Sequence, residues 1–276
     1  MSELGFRAFD CDHHYYEAED AFTRHVDRRM QARCMQWAEV NGRKRLLVGG
    51  KVNRFIPNPT FDPVARPGCL DAYFRGHNPE DKPVAELFGA LEPIRPAYRD
   101  RDARIALLDA QGLEGALLFP TLGVGMQESL RHDPEAACTA FEAFNRWLEE
   151  DWGFAYRERL FAAPYITLID PAWAEREVER VIAAGARLVS MVPGPVPTGP
   201  DTAIAPSASR FDGFWARVSE AGVPVAYHSG DAGYRGISEM FGGDREFRAF
   251  DFDPVYTCLS ATPIHDTFAS LICGGV

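Results

Sequence analysis

Four side chains that can bind a metal ion or move protons lie close together near the start of the chain. Asp12, His13, His14 and Glu17 directly follow the short, mostly apolar stretch 6–9, which we predict to be a buried strand. Because side chains alternate along a strand, Asp12 and His14 are expected on the same side. A carboxylate and an imidazole that converge from one strand end suit a divalent cation. The alternative is that these residues cap a turn and lie in solvent.

A second histidine ends a later apolar segment. His228 closes the predicted strand 223–228 and is followed closely by Asp231. In a barrel of parallel strands, the residues at the carboxyl ends of the strands line the active site, so His228 is expected to meet the first pair. The alternative for a single histidine is a half-buried residue with ordinary hydrogen-bond partners. Asp231 either orients a loop or a histidine ring, or is a turn residue before a glycine.

Two arginines and one loop are candidates for contact with a substrate. Arg187 and Arg235 could each bind a substrate carboxylate, although an ion pair on the surface is the common role of a single arginine. Gly-Pro pairs in 194–200 mark a long loop after a predicted strand, and this loop is a candidate for substrate contact.

The composition is that of an ordinary globular protein. The 276 residues are 46% hydrophobic and 25% charged, which allows one large domain or two small ones. With 29 Lys+Arg against 40 Asp+Glu, the formal net charge is −11. Nucleic acid and anionic membranes need a basic surface, so both are excluded as main partners. A small molecule is the expected partner.

The start of the sequence and its cysteines predict a cytoplasmic protein. The first residues lack the basic and apolar regions of a signal peptide, and no apolar run approaches the ~20 residues of a spanning helix. The six cysteines are scattered without a C-x-x-C pair, which favours reduced thiols over a disulfide framework.

Apolar segments and amphipathic segments alternate regularly after residue 96. This pattern predicts a parallel sheet covered by helices. The predicted strands are 115–120, 160–169, 187–192 and 223–228, and the predicted helices are 97–111, 134–152, 171–184, 210–221 and one that starts at 264.

Together with the first strand, five β/α units are expected. Their spacing indicates a (β/α)8 barrel of the TIM type, and a closed barrel would need three more units after residue 276. The sequence therefore predicts a C-terminally incomplete, truncated barrel domain over 1–276. A five-stranded open sheet is the competing geometry. A doubly wound nucleotide-binding domain is less favoured, because no G-x-G-x-x-G follows the first strand.

A long segment between the first strand and the regular alternation is predicted to be an insertion. Residues 30–96 contain a hairpin signal at 44–52, with a turn at Gly49-Gly50, and several prolines that prevent a regular element. So long a connection is unusual, and we expect it to form a lid. A short helix is predicted over 19–29.

These features resemble the amidohydrolase superfamily, in particular the amidohydrolase-related branch that includes aminocarboxymuconate-semialdehyde decarboxylase. Residues 12–17 resemble a D-x-H-x-x-E opening, residues 227–230 resemble the fifth-strand histidine, and the insertion resembles that of the branch. Many relatives open with H-x-H, where this chain has Asp12.

The resemblance implies a single divalent ion, Zn²⁺ by preference, bound by Asp12, His14 and His228. The downstream aspartate of the family has no counterpart before Val276. Asp12, His228 and Glu17 are the candidate catalytic residues, although Glu17 could equally be a simple helix N-terminal residue. Asp231 and Arg235 are candidates for substrate binding, and a homodimer is implied.

The implied activity is metal-dependent hydrolysis of a small carboxylated or ring-derived organic substrate by a metal-activated water. A non-oxidative decarboxylase uses the same ligands, so the motifs leave both reactions open. A further alternative is an inactive truncated fragment or a binding module.

Overall fold

The computed structural model describes residues 5–53, 55–56, 58–78, 80–242, 259 and 261–276. Strands form both a parallel sheet and smaller antiparallel pieces. The strands are β1 (Ala8–His14), β2 (Met35–Val40), β3 (Arg43–Val48), β4 (Lys51–Val52), β5 (Leu113–Phe119), β6 (Leu160–Ala162), β7 (Val189–Met191), β8 (Val196–Pro197), β9 (Ala203–Ile204) and β10 (Val225–Tyr227).

Helices connect the parallel strands, and shorter helices lie in the connections. The helices are α1 (Arg28–Gln31), α2 (Asp71–Phe74), α3 (Val84–Leu87), α4 (Arg101–Gln111), α5 (Met126–Ser129), α6 (Pro134–Asp151), α7 (Pro171–Ala183), α8 (Asp212–Ala221), α9 (Arg235–Met240) and α10 (Thr262–Gly274).

Within the described residues, five strands run parallel in their order along the chain. β1 pairs with β5, β5 with β6, and β7 with β10. A parallel bridge between Tyr165 and Ser190 connects β6 to β7. Because α4, α6, α7 and α8 precede β5, β6, β7 and β10 in turn, the protein has an α/β fold. The predicted alternation of strands and helices is thereby confirmed.

Local signals explain where the connecting helices begin and end. Asp100, Asp133 and Asp170 are the N-caps of α4, α6 and α7, and each carboxylate accepts a backbone N–H of the first turn. Gly112 ends α4 with a φ of 72°, a left-handed conformation that favours glycine. The observed bounds of these helices therefore lie within a few residues of the prediction.

The core has one layer on each face of the parallel sheet. Phe141 in α6 stacks on Tyr165, with ring centroids 4.2 Å apart, and belongs to the large layer between sheet and helices. Phe119, Ala163 and Leu188 form a smaller apolar cluster. Neighbouring residues of β5 fall in different layers because side chains alternate along a strand.

The first strand differs from its prediction. It covers residues 8–14 instead of 6–9, so Asp12 and His14 lie within the strand itself, and none of its residues is buried. In the described part of the chain β1 pairs only with β5, which leaves Phe9 42% exposed. The prediction of a buried strand is wrong for this reason.

The predicted helix over 19–29 is also wrong. The chain forms turns there, and Asp27 accepts the N–H of Arg29 and begins the short helix α1. The apolar side chains Ala21, Phe22 and Val26 are nevertheless buried in the core.

The insertion carries an antiparallel sheet of β2, β3 and β4. The predicted hairpin with its turn at Gly49-Gly50 is confirmed by the pairing of β3 with β4. β2 was not predicted. It joins β3 through Asn41 and Gly42, whose φ angles of 54° and 69° are those of a tight hairpin turn. The loop after β7 contains a second small hairpin, β8 with β9.

Candidate metal centre

Three side chains from the first and the last parallel strand converge at the carboxyl end of the sheet. Nε2 of His14 lies 3.2 Å from Nε2 of His228. Oδ1 of Asp12 lies 3.7 Å from Nε2 of His14 and 3.3 Å from Nε2 of His228. The sequence predicted that these three residues would meet, and the structure brings them together.

Hydrogen bonds at the other ring nitrogen set the tautomer of each histidine. Nδ1 of His228 lies 2.8 Å from the carbonyl oxygen of Ser229, which can only accept, so this nitrogen carries the hydrogen. Nδ1 of His14 lies 3.4 Å from Oγ1 of Thr121. The Thr121 hydroxyl donates to the Tyr15 carbonyl at 2.7 Å, so its oxygen accepts from the His14 ring. Both Nε2 atoms are therefore left with a free lone pair.

The spacing of the three donor atoms fits a divalent cation. Ligand bonds of about 2.1 Å place neighbouring donors about 3.4 Å apart in a tetrahedral site and about 3.0 Å apart in an octahedral one. The observed separations of 3.2, 3.3 and 3.7 Å lie close to these values. Two lone pairs that face each other repel unless a cation or a proton lies between them. Two imidazoles with one carboxylate suit Zn²⁺ and also Mn²⁺.

The charge state of His14 is the one that metal binding requires. Burial, and after it the positive charge that His228 can carry, lower the pKa of His14 to about 4. His14 is therefore neutral at pH 7, with its lone pair available. The Asp12 side chain is 75% exposed, so the cluster is open to solvent on the carboxylate side. A small molecule can approach the donors from there.

A buried arginine holds the end of β1. Arg104 in α4 is 1% exposed and donates to the carbonyl of His14 at 2.9 Å. Its guanidinium lies over the rings of Trp152 and Tyr98 and also donates to the carbonyl of Ala97. Arg104 was not predicted as a site residue, because a single arginine in an amphipathic helix carries no signal for burial.

The two histidine rings pack against one phenylalanine. The Phe119 ring lies 5.1 Å from the His228 ring in a stacked geometry, and 6.4 Å from the His14 ring. Phe119 pairs with His14 in the β1–β5 register and is 4% exposed. It gives the two rings an apolar back wall that keeps water away from them. Like Arg104, Phe119 was not predicted as a site residue.

The hydrogen bonds of Glu17 join it to the loop after β5 and not to the three donor atoms. Its carboxylate is 2% exposed and accepts the backbone N–H groups of Thr121, Leu122 and Gly123 at 2.8–3.1 Å. Burial raises the pKa of Glu17 to about 7, and these amide donors oppose that rise. The carboxylate therefore holds the loop that follows β5.

The other predicted residues have separate surroundings. His13 pairs with Asp10 at 2.8 Å instead of joining the cluster. Asp231 accepts the N–H of Gly233 at 3.4 Å and lines a cleft of about 480 Å³ between the β3–β4 hairpin and α5. Arg187 forms an exposed ion pair with Glu158, as the surface alternative predicts. Arg235 begins α9, and its side chain lies outside the described part of the structure.

Comparison with known proteins identifies the family. No family model and no curated protein matches the chain. Among solved structures, an amidohydrolase from Mycobacterium avium subsp. paratuberculosis K-10 is 43% identical, with a TM-score of 0.88. The similarity covers 99% of this chain and 69% of that protein. The chain belongs to the amidohydrolase superfamily.

Other solved structures align with the chain at lower similarity. The 2,6-dihydroxybenzoate decarboxylase from Rhizobium is 20% identical, with a TM-score of 0.47 over 77% of this chain and 59% of its own. A 5-carboxyvanillate decarboxylase from Novosphingobium aromaticivorans DSM 12444, complexed with manganese, is 16% identical, with a TM-score of 0.40 over 89% and 57%.

The superfamily resemblance predicted from residues 12–17 and 227–230 is confirmed. No helix in the described residues combines the length and the hydropathy needed to cross a membrane.

Proposed function

We propose that this amidohydrolase is a metal-dependent hydrolase that acts on a small carboxylated or ring-derived organic substrate. The observation that supports the proposal is the convergence of Asp12, His14 and His228, with both Nε2 lone pairs directed at the same region. Zn²⁺ is the ion expected from the sequence, and the donor set also suits Mn²⁺.

The residues around such a centre would have different roles. His14 and His228 would bind the ion through Nε2, and Asp12 would add a negative charge on the open side of the site. When bound, the ion supplies an activated water near neutral pH and polarises a substrate carbonyl. Phe119 excludes water behind the two rings, which strengthens electrostatic interactions in front of them.

The wider architecture belongs to the same proposal. The five sequential parallel strands support a fold of the (β/α)8 barrel type, whose active sites lie at the carboxyl ends of the strands. The insertion, 30–96, would cover that face as a lid. Asp231 and Arg235 are proposed to contact the substrate, because both closely follow His228 in the sequence. The cleft that Asp231 lines has a size that suits a small molecule, but none of its lining residues belongs to the metal cluster.

Metal analysis of matched variants tests the proposal. Asp12→Ala and His14→Ala should lower the bound metal well below the wild-type stoichiometry, while His25→Ala should retain it. His25 is a suitable control because it bonds to Glu150 and contributes nothing to the cluster. Unchanged metal content in both cluster variants would refute the assignment of the centre.

The same donors could serve a decarboxylase, so the product decides between the two reactions. In water enriched in ¹⁸O, a hydrolase incorporates the label into its product. A decarboxylase instead releases CO₂ and places a solvent proton on carbon. A metal-loaded protein that does neither with amides, esters and aromatic carboxylic acids would favour the binding-module alternative.

A further inference from the structure

One loop contacts the His14 ring and the chain segment that follows His228. The bridging loop, residues 120–125, follows β5, which lies next to β1 but not next to β10. It nevertheless reaches the residues that follow each of these two strands. Whatever fixes this loop therefore influences both His14 and His228.

On the His14 side, the bridging loop sets the orientation of the ring. Oγ1 of Thr121 lies 3.4 Å from Nδ1 of His14. The Thr121 hydroxyl donates its own hydrogen to the Tyr15 carbonyl, so its oxygen accepts from the imidazole. This contact favours the Nδ1–H tautomer and leaves Nε2 free.

On the His228 side, the bridging loop meets the chain just after β10. The backbone N–H of Asp231 donates to the Val124 carbonyl at 3.0 Å. A Cβ atom at Gly230 would lie 2.6 Å from the same carbonyl oxygen, so only glycine permits this approach. The backbone two and three residues after His228 is therefore held by the loop.

Glu17 holds the backbone of the bridging loop. Its buried carboxylate accepts three successive backbone N–H groups, and Leu122 donates to both of its oxygens at 2.8 and 3.0 Å. Bonds from N–H groups to a carboxylate are stronger than ordinary amide bonds, and three of them fix the loop backbone over three residues. Neither oxygen is exposed to a substrate.

We propose that Glu17 is a positioning residue of the metal centre that acts through the bridging loop. It holds Thr121 against His14 and Val124 against the chain after His228. Glu17 thereby fixes the tautomer of His14 and the spacing of the two Nε2 atoms. The link to activity rests on the proposed metal-dependent function, whereas the control of the His14 tautomer does not.

Two-bond ¹H–¹⁵N NMR spectra of the histidine rings test the proposal in metal-free protein. The wild type should show His14 as the Nδ1–H tautomer. Glu17→Gln places an amide NH₂ group against backbone N–H donors, so the loop must shift, and the Nε2–H form of His14 should increase. Thr121→Val should shift the signal in the same direction but less, because Glu17 still holds the loop backbone in that variant.

Glu177→Gln is the matched control. Glu177 is 3% exposed and accepts from Asn145 and Arg180, so the variant also removes a buried carboxylate, but in α7. It should leave the His14 signal unchanged. A folded Glu17→Gln protein whose His14 signal equals that of the wild type would overturn the proposal. If the spectrum of Glu17→Gln shows that the variant does not fold, the same comparison is made with Thr121→Val, and an unchanged His14 signal there would overturn the proposal.

Titration with Zn²⁺ or Mn²⁺ alone gives a second readout. Loss of an outer partner of a metal ligand typically weakens binding about 10–100-fold, and we expect a decrease of this size in Glu17→Gln. An acid/base role predicts a different result, namely unchanged metal affinity with one limb of the pH–rate profile lost. Wild-type protein that binds no metal would refute the proposed function, while the NMR result would still decide the role of Glu17.

Discussion

Glu17 and His14 should make folding stability depend on pH in opposite directions. Burial raises the pKa of Glu17 from 4.5 to about 7, so between these values the folded protein keeps a proton that the unfolded chain has released. Stability from this group is present below pH 4.5 and is lost as pH rises through 7. Burial lowers the pKa of His14 from 6.5 to about 4, so its contribution to stability rises with pH between those values.

The contribution of Glu17 to the pH dependence of stability follows from the shift of its pKa. Its pKa moves by about 2.5 pH units, and each unit corresponds to 1.36 kcal/mol, which gives about 3 kcal/mol in total. Between pH 5 and pH 8 about 2.5 kcal/mol of this is lost. Glu17 is 2% exposed, so solvent screens the effect little. His14 is 34% exposed, and its opposing contribution is smaller after screening.

Because the two effects partly cancel in the wild type, the informative quantity is the difference between wild type and Glu17→Gln. Urea unfolding of both proteins at pH 5, 6, 7 and 8 gives the free energy of unfolding for each. The variant should gain about 2–3 kcal/mol relative to the wild type between pH 5 and pH 8. Thr121→Val, which perturbs the same loop without removing a titratable group, should run parallel to the wild type. Parallel curves for Glu17→Gln and wild type would refute the reasoning.

Three further changes test the packing and the metal centre. Gly115→Ala should destabilise the fold by about 1–3 kcal/mol in urea, because a Cβ there would lie 2.7 Å from the Phe9 ring, and an unchanged midpoint would contradict this packing. Arg104→Met should destabilise by about 1–3 kcal/mol, since it leaves the His14 carbonyl without its donor. Burial lowers the pKa of this guanidinium to about 10, so a stabilised variant would mean that the cost of the buried charge dominates. Zn²⁺ at 100 times its wild-type Kd should raise the wild-type unfolding free energy by about 2.7 kcal/mol and that of Asp12→Ala by much less, and an equal gain in both would place the ion elsewhere.

The parts of the fold that the sequence predicts are those with local signals. Each connecting helix carries an aspartate N-cap or a left-handed glycine at its end, and its apolar face repeats at helical spacing. β1 and the segment 19–29 lack such signals. The exposure of β1 depends on which strands pair with it, and the turns before α1 depend on Asp27 capping a new helix. Neither is encoded in local periodicity.

The candidate site was predictable only for residues whose side chains bind ions by their own chemistry. Asp12, His14 and His228 carry that chemistry wherever they are placed. Arg104 and Thr121 act through a backbone carbonyl and a ring nitrogen that the fold brings near them. An arginine or a threonine in a sequence gives no sign of such a contact.

The closeness of the two histidines constrains the shape of the whole sheet. β1 and β10 are the first and last of the five parallel strands in the part of the chain that the structure describes, so about four spacings of ~4.8 Å, roughly 19 Å, would separate them in a flat sheet. Two histidine side chains that reach toward each other span roughly half of that distance. Yet Nε2 of His14 lies 3.2 Å from Nε2 of His228. The sheet must therefore curl until its two ends approach, as strands around a barrel do and as an open doubly wound sheet does not. The metal centre and the curvature depend on each other. In Gly115→Ala the added Cβ would lie within 3 Å of the Phe9 ring in β1 and of the Arg159 carbonyl oxygen, so we expect β1 to move away from β5. This change should weaken Zn²⁺ binding although Gly115 contributes no ligand. Unchanged affinity in that variant would show that the metal centre does not depend on the position of β1.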